Sequence, residues 1–339
     1  MLKIAALVER AGPKIKSLDP VVTGGFPRVA TIMGKCLFVG WTDITEGRFD
    51  ASQLRNYDLV WMEWGWTPKC ARAAIAVREH CPKVKIAIFD GCLDRWWEKC
   101  EARHLAQHFA AAQACDAICC MYEGARRFYE PVFGKPAVYM PVPVNVDAMR
   151  KYRLPRSERA APPRLLLGQH MGWVVDNRST IAHAAVLRRL EALRSGRKQP
   201  KVQATGYANK DAPETVVAGL ASLGFDGIQI ERPCDNATFS QQACQAMASV
   251  STTSRMVMAQ WSVEAAALGV PVVSAEHLEA HKRLWPTLSF PWYDVESMAI
   301  ATARLLDDPE WWTEACEYAD AELVRYSDAA CRQRVESLL

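Results

Sequence analysis

One acidic side chain, Glu264, lies in a stretch whose order of elements suits the binding of an anion. Residues 254–258 read as a loop, good helix formers follow over about 259–268, and Gly269 is placed to cap the helix before a β-branched strand. The start of such a helix offers unpaired backbone N–H groups and a partial positive charge to an anion. Because helical side chains lean towards the N-terminus, Glu264 should point at whatever occupies that end. A phosphate on the N–H groups and a ribose hydroxyl pair on the carboxylate would fill the site; a solvated Glu264 in an ordinary helix–strand turn is the alternative.

A second carboxylate, Asp90, follows directly on the apolar run of residues 83–89 and precedes Gly91. A carboxylate at the carboxyl end of a parallel strand faces the crevice in which such sheets bind ligands. There it could act as a general base that takes a proton from a hydroxyl group. Asp94, four residues further on, is the reserve for the same role. The alternative for Asp90 is that it caps the helix that follows.

Aromatic and basic side chains follow the same strand ends. Trp66 comes after a core strand, and Arg95 and Trp96 lie in the loop after the next one. Aromatic faces at that edge of a sheet could stack on a sugar or a base. We therefore expect Trp66, Arg95 and Trp96 to contact an acceptor molecule, whereas Trp61 and Trp64 should pack the domain.

Strand-like and helix-like runs alternate along the chain, which is the pattern of an α/β protein with parallel sheets. A strand near residues 2–9 leads into a loop that holds Gly24 and Gly25, and a helix is expected over 28–38, as at the start of a Rossmann-like unit. The two glycines would let the backbone approach a diphosphate. A plain turn is the alternative.

The length of 339 residues favours two domains. We place an N-terminal Rossmann-like domain at 1–149 and a second Rossmann-like domain at 164–310. The segment 150–163 between them is basic and carries prolines, so it reads as a linker with solvated charge. A helical tail at 311–339 is long enough to pack back on the N-terminal domain.

Composition narrows the possible classes. Lys and Arg number 41 against 38 Asp and Glu, a net charge of +3 that is too balanced to indicate a nucleic-acid protein. No apolar run approaches the roughly 20 residues that span a bilayer, so we expect no transmembrane segment. The 12 cysteines are scattered without C-x-x-C spacing, which favours reduced thiols in a cytoplasmic protein. His104 and His108 are four apart but lack a third ligand, so we expect no metal site and no tightly bound cofactor.

The run that begins at Glu264, Glu-Ala-Ala-Ala-Leu-Gly-Val-Pro-Val-Val, resembles the Glu-Ala-x-Ala-x-Gly-x-Pro-Val-Val signature of nucleotide-sugar glycosyltransferases with two Rossmann-like domains, the GT-B fold. In that family the glutamate holds the ribose of the donor, and the helix start, here Ala259 and Gln260, holds its diphosphate. Retaining members carry a second glutamate eight positions earlier, where this chain has Met256. The glycines that follow it in the family are Val257 and Ala259 here. Retention or inversion at the sugar therefore stays open.

Further donor contacts follow from the resemblance. Many members carry an Arg and a Lys that neutralise the donor diphosphate, and the matching positions are His170 and Arg178. Lys210, after the next strand, is a second candidate phosphate contact. Arg232 lies in a loop that frames the nucleobase in the family. GT-B enzymes also place a Gly-Gly loop of the first domain against the donor and a His or Asp on the loop that corresponds to Asp90.

The expected fold is thus α/β, with two Rossmann-like domains facing a central cleft and a C-terminal helical tail. The function that the resemblance implies is transfer of a sugar from a nucleotide sugar, bound as substrate, to an acceptor hydroxyl. A saccharide or cell-envelope glycan is the default acceptor. A hydroxymethylated DNA base is the second possibility, because the aromatic cluster, the basic linker and an Asp on the first-domain loop would suit it.

Two alternatives to a glycosyltransferase stay open. Nucleotide-sugar epimerases of the same fold share Glu-x-x-x-Leu-Gly-x-Pro-Val, but they precede it with Ser-Gly-Gly, which reads Met258-Ala259-Gln260 here. A catalytically silent nucleotide-sugar or nucleic-acid binding protein is the other alternative, since the sugar-side glutamate is missing. The donor's base and sugar, the acceptor, a divalent metal's assistance and the oligomeric state are not readable from the sequence.

Overall fold

The computed structural model of the chain describes residues 2–8, 32, 36–64, 68–90, 102–141, 144–168, 171, 177–196, 200–208, 211–253 and 259–339. The chain divides into two units. The first unit comprises Met1–Asn145 together with Arg325–Leu339, and the second comprises Val146–Val324. Each unit is built around its own parallel sheet.

The described strands of the first unit are β1 (Ile4–Val8), β2 (Cys36–Gly40), β3 (Leu59–Glu63), β4 (Lys85–Asp90), β5 (Ala117–Cys120) and β6 (Ala137–Tyr139). They form a six-stranded parallel sheet in the order β2-β1-β3-β4-β5-β6. All five residues of β1, Ile-Ala-Ala-Leu-Val, are buried, as expected of a strand covered on both faces. The strand order reverses between β1 and β3, so a crevice of this sheet is expected at their carboxyl ends.

The helices among these strands are α1 (Trp41–Thr45), α2 (Pro68–His80), α3 (Ala102–Ala114) and α4 (Arg126–Phe133). Helix α2 packs against α3 and buries one face of small side chains, from Cys70 to Val77. Gly134 ends α4 with a φ of +61°, a left-handed cap that glycine adopts without steric cost.

The helix expected over residues 28–38 is wrong at its end, over residues 36–38. Cys36–Gly40 is strand β2, which pairs in parallel with β1 from Cys36 opposite Ile4 to Gly40 opposite Val8. The sequence Cys-Leu-Phe-Val is a short continuous apolar run, and periodicity alone does not distinguish such a run from a buried helical segment. Pairing with β1 decides in favour of the strand.

The described strands of the second unit are β7 (Arg164–Leu167), β8 (Gln203–Tyr207), β9 (Ile228–Glu231), β10 (Ala248–Ser251), β11 (Val272–Ala275) and β12 (Ser289–Phe290). They form a six-stranded parallel sheet in the order β12-β11-β10-β7-β8-β9. Numbered within the unit and read from β9, this is 3-2-1-4-5-6, the strand order of dinucleotide-binding Rossmann domains.

The helices of the second unit are α5 (Val146–Arg150), α6 (Asn177–Arg194), α7 (Pro213–Ser222), α8 (Asn236–Ala243), α9 (Gln260–Leu268), α10 (Glu279–Leu284), α11 (Val295–Asp307) and α12 (Pro309–Glu322). Helix α6 packs along α11, and α5 packs on α9. Aspartate side chains cap three of the helices by accepting backbone N–H bonds: Asp235 at α8, Asp294 at α11 and Asp308 at α12.

The basic segment before β7 is not the solvated tether that its composition suggests. Arg159 is 6 % exposed, and its guanidinium donates to five backbone carbonyl oxygens at 2.6–3.4 Å, those of Leu154, Cys244, Ala246, Leu268 and Gly269. It also stacks on the ring of Trp312 at 4.9 Å. Unpaired carbonyls at helix C-termini attract cations, and α8 and α9 both end here. The segment therefore forms part of the second unit.

The chain returns to the first unit at Arg325, and helix α13 (Asp328–Glu336) packs there. Arg332 donates to the carbonyl oxygen of Ile32 at 2.5 Å, and the Arg334 guanidinium lies 5.6 Å from the ring centre of Tyr139. Helix α12 instead packs in the second unit, where Trp312 Nε1 donates to the carbonyl oxygen of Met247. Among the helices that the structure describes, none is both long and apolar enough to cross a membrane.

Candidate functional site

The carboxyl ends of β7 and β10 lie side by side at the point where the strand order of the second sheet reverses. The two strands pair in parallel from Leu165 opposite Ala248 to Leu167 opposite Val250. Helix α6 follows β7, and α9 follows β10. Ligands of open α/β sheets bind outside the carboxyl ends of the strands at such a reversal. The residues that follow β7 and β10 therefore define the candidate site.

Glu264 lies in the first turns of α9 and is 8 % exposed. All the other residues from Trp261 to Leu268 are buried as well. Glutamate is rarely so buried without polar partners. Gln260 Nε2, one turn earlier, donates to Glu264 Oε1 at 2.5 Å. The structure thus brings together two of the donor residues expected from the sequence. Both lie in the first turns of α9, near its N-terminus.

The residue at the start of α9, Ala259, has a left-handed backbone with φ of 47° and ψ of 33°. Among the described residues it is the one non-glycine residue with a positive φ. This conformation costs an L-residue roughly 1–2 kcal/mol relative to the right-handed one, and such strain concentrates at functional sites. The resemblance had matched Ala259 to a glycine of the family, and the observed φ is one that glycine adopts freely.

The sequence reading missed His183, which lies at the same place. It is 3 % exposed on α6, and its Nε2 accepts the backbone N–H of Thr252, just past the end of β10, at 2.7 Å. Gly168, just past the end of β7, has a φ of +62°, and a Cβ built there would lie 2.8 Å from His183 Cε1. One imidazole therefore contacts the ends of both central strands.

Burial determines the charge of this imidazole. It lowers the pKa of His183 to about 4, so the side chain is neutral near pH 7. Because Nε2 accepts a hydrogen bond, the proton of the neutral ring is on Nδ1. Nδ1 is buried and makes no hydrogen bond to any part of the chain that the structure describes.

The two described arginines expected at the donor follow different strands of this sheet. Arg178 is exposed on the first turn of α6, after β7. Arg232 follows the edge strand β9, and its side chain is 79 % exposed beside Glu214, 3.6 Å away. Neighbouring strands are about 4.8 Å apart, so β9 lies roughly 10 Å from β7 across the sheet. Arg232 thus follows a strand two places away from β7, whereas Arg178 lies on the helix that follows β7 itself.

In the first unit, Asp90 is the last residue of β4 and is 4 % exposed. Tyr129 on α4 donates its hydroxyl hydrogen bond to Asp90 Oδ2. The ring of Trp64 lies 6.1 Å from that of Tyr129 and 5.5 Å from that of Phe133. Asp90 therefore has a fixed hydroxyl partner beside an aromatic cluster, which keeps bulk water away from it. Trp61 and Trp64 are 1 % and 5 % exposed, which confirms that they pack the domain.

Several expected site residues lie outside the described residues, and they remain predictions. In the first domain these are Gly24, Gly25, Trp66, Asp94, Arg95 and Trp96, and in the second they are His170 and Lys210. The loop of residues 254–258 that precedes α9 is outside them as well.

Within the described part of the chain, no group of three potential metal ligands occurs. His281, on α10, is fully buried. Its Nδ1 contacts Ser262 Oγ at 3.0 Å, and its Nε2 contacts the carbonyl oxygen of Leu288 at 3.2 Å. Burial lowers its pKa to about 4. His281 therefore connects α9, through Ser262, to the residues before β12 as a neutral ring.

No protein-family model and no curated protein matches the chain. Among solved structures, it is similar to an α,α-trehalose 6-phosphate synthase from Burkholderia multivorans, with a TM-score of 0.65 and 18 % identity over 85 % of this chain and 71 % of that one. A trehalose-6-phosphate structure from E. coli, bound with UDP-2-fluoro glucose, gives a TM-score of 0.69 and 11 % identity over 99 % and 98 %. TarM from S. aureus gives 0.62 and 10 % over 82 % and 55 %.

Identities of this size show the fold alone. The fold is that of GT-B glycosyltransferase structures, and the expected α/β class, with two Rossmann-like sheets and a helical C-terminal end, is confirmed.

Proposed function

We propose that the protein is a glycosyltransferase that moves a sugar from a nucleoside-diphosphate sugar to an acceptor hydroxyl. The observation that carries the proposal is the buried Glu264 with its partner Gln260 on the first turns of α9, beside the strand reversal of a sheet with Rossmann strand order. The similarity to a structure bound with UDP-2-fluoro glucose supports a nucleotide sugar as donor and makes UDP-glucose the first donor to test.

Charged side chains and backbone N–H groups of the second unit would bind the donor. The Glu264 carboxylate accepts hydrogen bonds from the ribose hydroxyls, and the N–H groups at the start of α9, at Ala259 and Gln260, face the diphosphate. Arg178 compensates part of the charge that builds on the leaving nucleoside diphosphate. Gly24, Gly25, His170, Lys210 and Arg232 keep the donor contacts that the sequence resemblance implies.

In the transfer step, the acceptor oxygen attacks C1 of the sugar, and its proton passes to Asp90 as general base. The bond between C1 and the phosphate oxygen breaks, and its electron pair leaves with the nucleoside diphosphate. The hydrogen bond from Tyr129 fixes the orientation of the Asp90 carboxylate. Asp94 is the reserve base, and Trp66, Arg95 and Trp96 are the proposed acceptor contacts.

The first acceptors to test are small sugars and sugar phosphates. One similar structure, from Burkholderia xenovorans, is in complex with glucose-6-phosphate, and TarM is in complex with α-GlcNAc-glycerol. The argument for hydroxymethylated DNA is weaker, because the basic segment that could contact it is partly occupied within its own unit. Arg159 is buried, and Arg150 and Arg153 both pair with Asp320 at 2.9 Å.

Thermal unfolding against nucleoside diphosphates and nucleotide sugars tests the donor site. A ligand at 100 times its dissociation constant should stabilise the native state by about 2.7 kcal/mol. We expect one nucleotide to raise Tm in the wild type, the rise to be lost in Glu264→Gln, and the rise to persist in Glu296→Gln. Glu296 is a matched control, an exposed carboxylate of the same unit that pairs with Arg189 on the surface.

The possible results separate the alternatives. If no nucleotide raises Tm, the donor site is wrong and the glycosyltransferase proposal fails with it. A rise that depends on Glu264, without release of nucleoside diphosphate for any acceptor, would indicate the silent binding protein. Interconversion of a nucleotide sugar with its epimer, without an acceptor, would indicate the epimerase.

A further inference from the structure

One buried side chain, His183, connects the ends of the two strands that flank the candidate nucleotide site. It accepts the Thr252 N–H at 2.7 Å, and it packs so closely under Gly168 that a Cβ there would come within 2.8 Å of the ring. The carbonyl oxygen of Val250 accepts the Gly168 N–H at 2.8 Å, which ties the same two strands together. We call Gly168, His183 and Thr252 the strand-end clamp.

We propose that His183 is a positioning residue for nucleotide binding, which fixes the backbone at the end of β10 from which the chain leads to α9. The inference rests on the proposed function, because it assigns the nucleotide to this strand reversal.

The chemistry of the clamp argues that the histidine is more than a space-filling residue. Thr252 is 2 % exposed and lies beyond the paired residues of β10, so its N–H would be buried without an acceptor if His183 were absent. The ring meets this need although its own Nδ1 stays buried without a hydrogen bond to the described residues. An aliphatic side chain would fill the same volume without that cost, but it would leave the Thr252 N–H unsatisfied. The histidine therefore satisfies the Thr252 N–H at the cost of an unsatisfied polar atom in its own side chain.

Gly168 makes the clamp possible in two ways. Its φ of +62° is a conformation that side chains rarely adopt, and the space where a Cβ would lie is occupied by the His183 ring. Replacing Gly168 by alanine must therefore displace the imidazole. This offers a second way to disturb the clamp, in which residue 183 remains a histidine but its ring is displaced.

The test compares full-length His183→Leu, His183→Gln and Thr302→Val proteins with the wild type. Leucine removes the acceptor, whereas the Gln side-chain oxygen can take the place of Nε2. Thr302 is a matched control: it is fully buried in the same unit, and its hydroxyl donates at 2.7 Å to a carbonyl of its own helix, α11. The readouts are Tm, the dissociation constant for UDP or whichever nucleoside diphosphate stabilises the wild type best, and amide hydrogen exchange in peptides that cover residues 248–260.

We expect His183→Leu to weaken nucleotide binding about tenfold, the equivalent of one buried hydrogen bond, and to speed exchange at the end of β10. His183→Gln should recover most of the affinity. Thr302→Val should lower Tm without changing affinity. Gly168→Ala should weaken binding as His183→Leu does, and combining the two changes should add little.

Three results would overturn the inference. One is unchanged nucleotide affinity in His183→Leu with a Tm loss like that of Thr302→Val, which would mean a structural role alone. Another is failure of His183→Gln to recover any affinity when it is folded. The third is unchanged exchange at the end of β10 in His183→Leu. A wild-type protein that binds no nucleotide is a different failure, since it refutes the proposed function first, and the exchange readout then still decides whether the clamp holds the strand end.

Discussion

The two units bring a buried carboxylate to the carboxyl edge of a parallel sheet in different ways. Asp90 is the last residue of β4 itself, and its partner Tyr129 is 39 residues away in sequence, on α4. Glu264 lies on a helix after the strand, and its partner Gln260 is four residues away on the same helix. The described partner of Asp90 is thus distant in sequence, whereas the described partner of Glu264 is local.

The chemical surroundings of Asp90 and Glu264 differ as well. Asp90 has a phenol donor in a cluster of aromatic rings that excludes water, which suits a group that exchanges a proton. Glu264 has an amide donor and lies in the first turns of a helix, where a carboxylate and backbone N–H groups suit hydroxyl and phosphate groups of a ligand. The comparison supports the proposal that the two buried carboxylates serve different tasks, proton transfer in the first unit and ligand binding in the second.

The largest effect is expected for Asp90→Asn, which keeps the shape of the side chain but removes the base. Turnover should fall by a factor of about 10²–10⁴. The rise in Tm with nucleotide should be unchanged, because donor binding is assigned to the second unit. Steady-state release of nucleoside diphosphate and thermal unfolding measure the two quantities. Loss of nucleotide binding in Asp90→Asn, at unchanged Tm without ligand, would break the division of tasks.

Acid should destabilise the protein through two buried histidines of the second unit. Burial lowers the pKa of His183 and of His281 to about 4, while an unfolded histidine titrates near 6.5. Between these values the unfolded chain binds more protons than the folded one, so the free energy of unfolding falls as pH drops from about 6.5 to 4. Each histidine should contribute up to about 3 kcal/mol to that fall.

Thermal unfolding at pH 4, 5, 6 and 7 measures this dependence. Replacing either histidine by leucine should flatten the curve over this range, although both variants start from a lower Tm at pH 7. A curve of unchanged slope in both variants would contradict the assignment of the acid sensitivity to these rings.

A smaller effect is expected for Tyr129→Phe, which removes the hydroxyl donor and leaves the aromatic ring. A buried acceptor that loses its donor costs about 1–3 kcal/mol, so the free energy of unfolding should fall by about that amount. Turnover should fall as well, because the carboxylate is no longer oriented, while nucleotide affinity should stay the same. Tyr318→Phe is the control, since that tyrosine is 49 % exposed on α12. Equal losses in the two variants would argue against a special role for the Asp90 contact.

The smallest effect is expected at the two ends of α9. Ala259→Gly should raise the free energy of unfolding by up to about 1 kcal/mol, because glycine adopts the left-handed conformation without strain, although its greater freedom in the unfolded chain offsets part of the gain. Gly269→Ala should do the opposite, since Gly269 has a φ of +70° and a Cβ there would lie 2.8 Å from Arg153 Nε. Urea unfolding of both variants provides the comparison. A loss of stability in Ala259→Gly would show that the start of the helix is not strained.

What the sequence could predict follows the same division between local and distant determinants. The helix expected over about 259–268 is observed at Gln260–Leu268, and Gly269 caps it as expected, because helix formers and a terminal glycine are local signals. The alternation of strands and helices likewise predicts the α/β class. Cys36–Gly40 shows the limit, since a short apolar run becomes a strand only through the strand beside it.

The parts that could not be predicted depend on partners distant in sequence. His183 stands in the middle of a long helix, and its importance comes from Thr252, 69 residues later. Nothing in the sequence around Tyr129 indicates that its hydroxyl donates to Asp90, 39 residues earlier. Arg159 lies in a basic, proline-bearing segment whose composition is that of a solvated linker, and three-dimensional packing alone buries it.

The burial of Arg159 determines where the chain can be divided. A fragment of the second unit that starts at β7 would contain all six strands of the second sheet. It would lack Arg159, whose guanidinium binds carbonyl oxygens at the C-terminal ends of α8 and α9. Helix α9, which carries Glu264, would then be left without its cation at one end. A fragment that keeps this end of α9 intact must therefore start before the basic segment, at the beginning of α5, so the apparent linker belongs to the second unit.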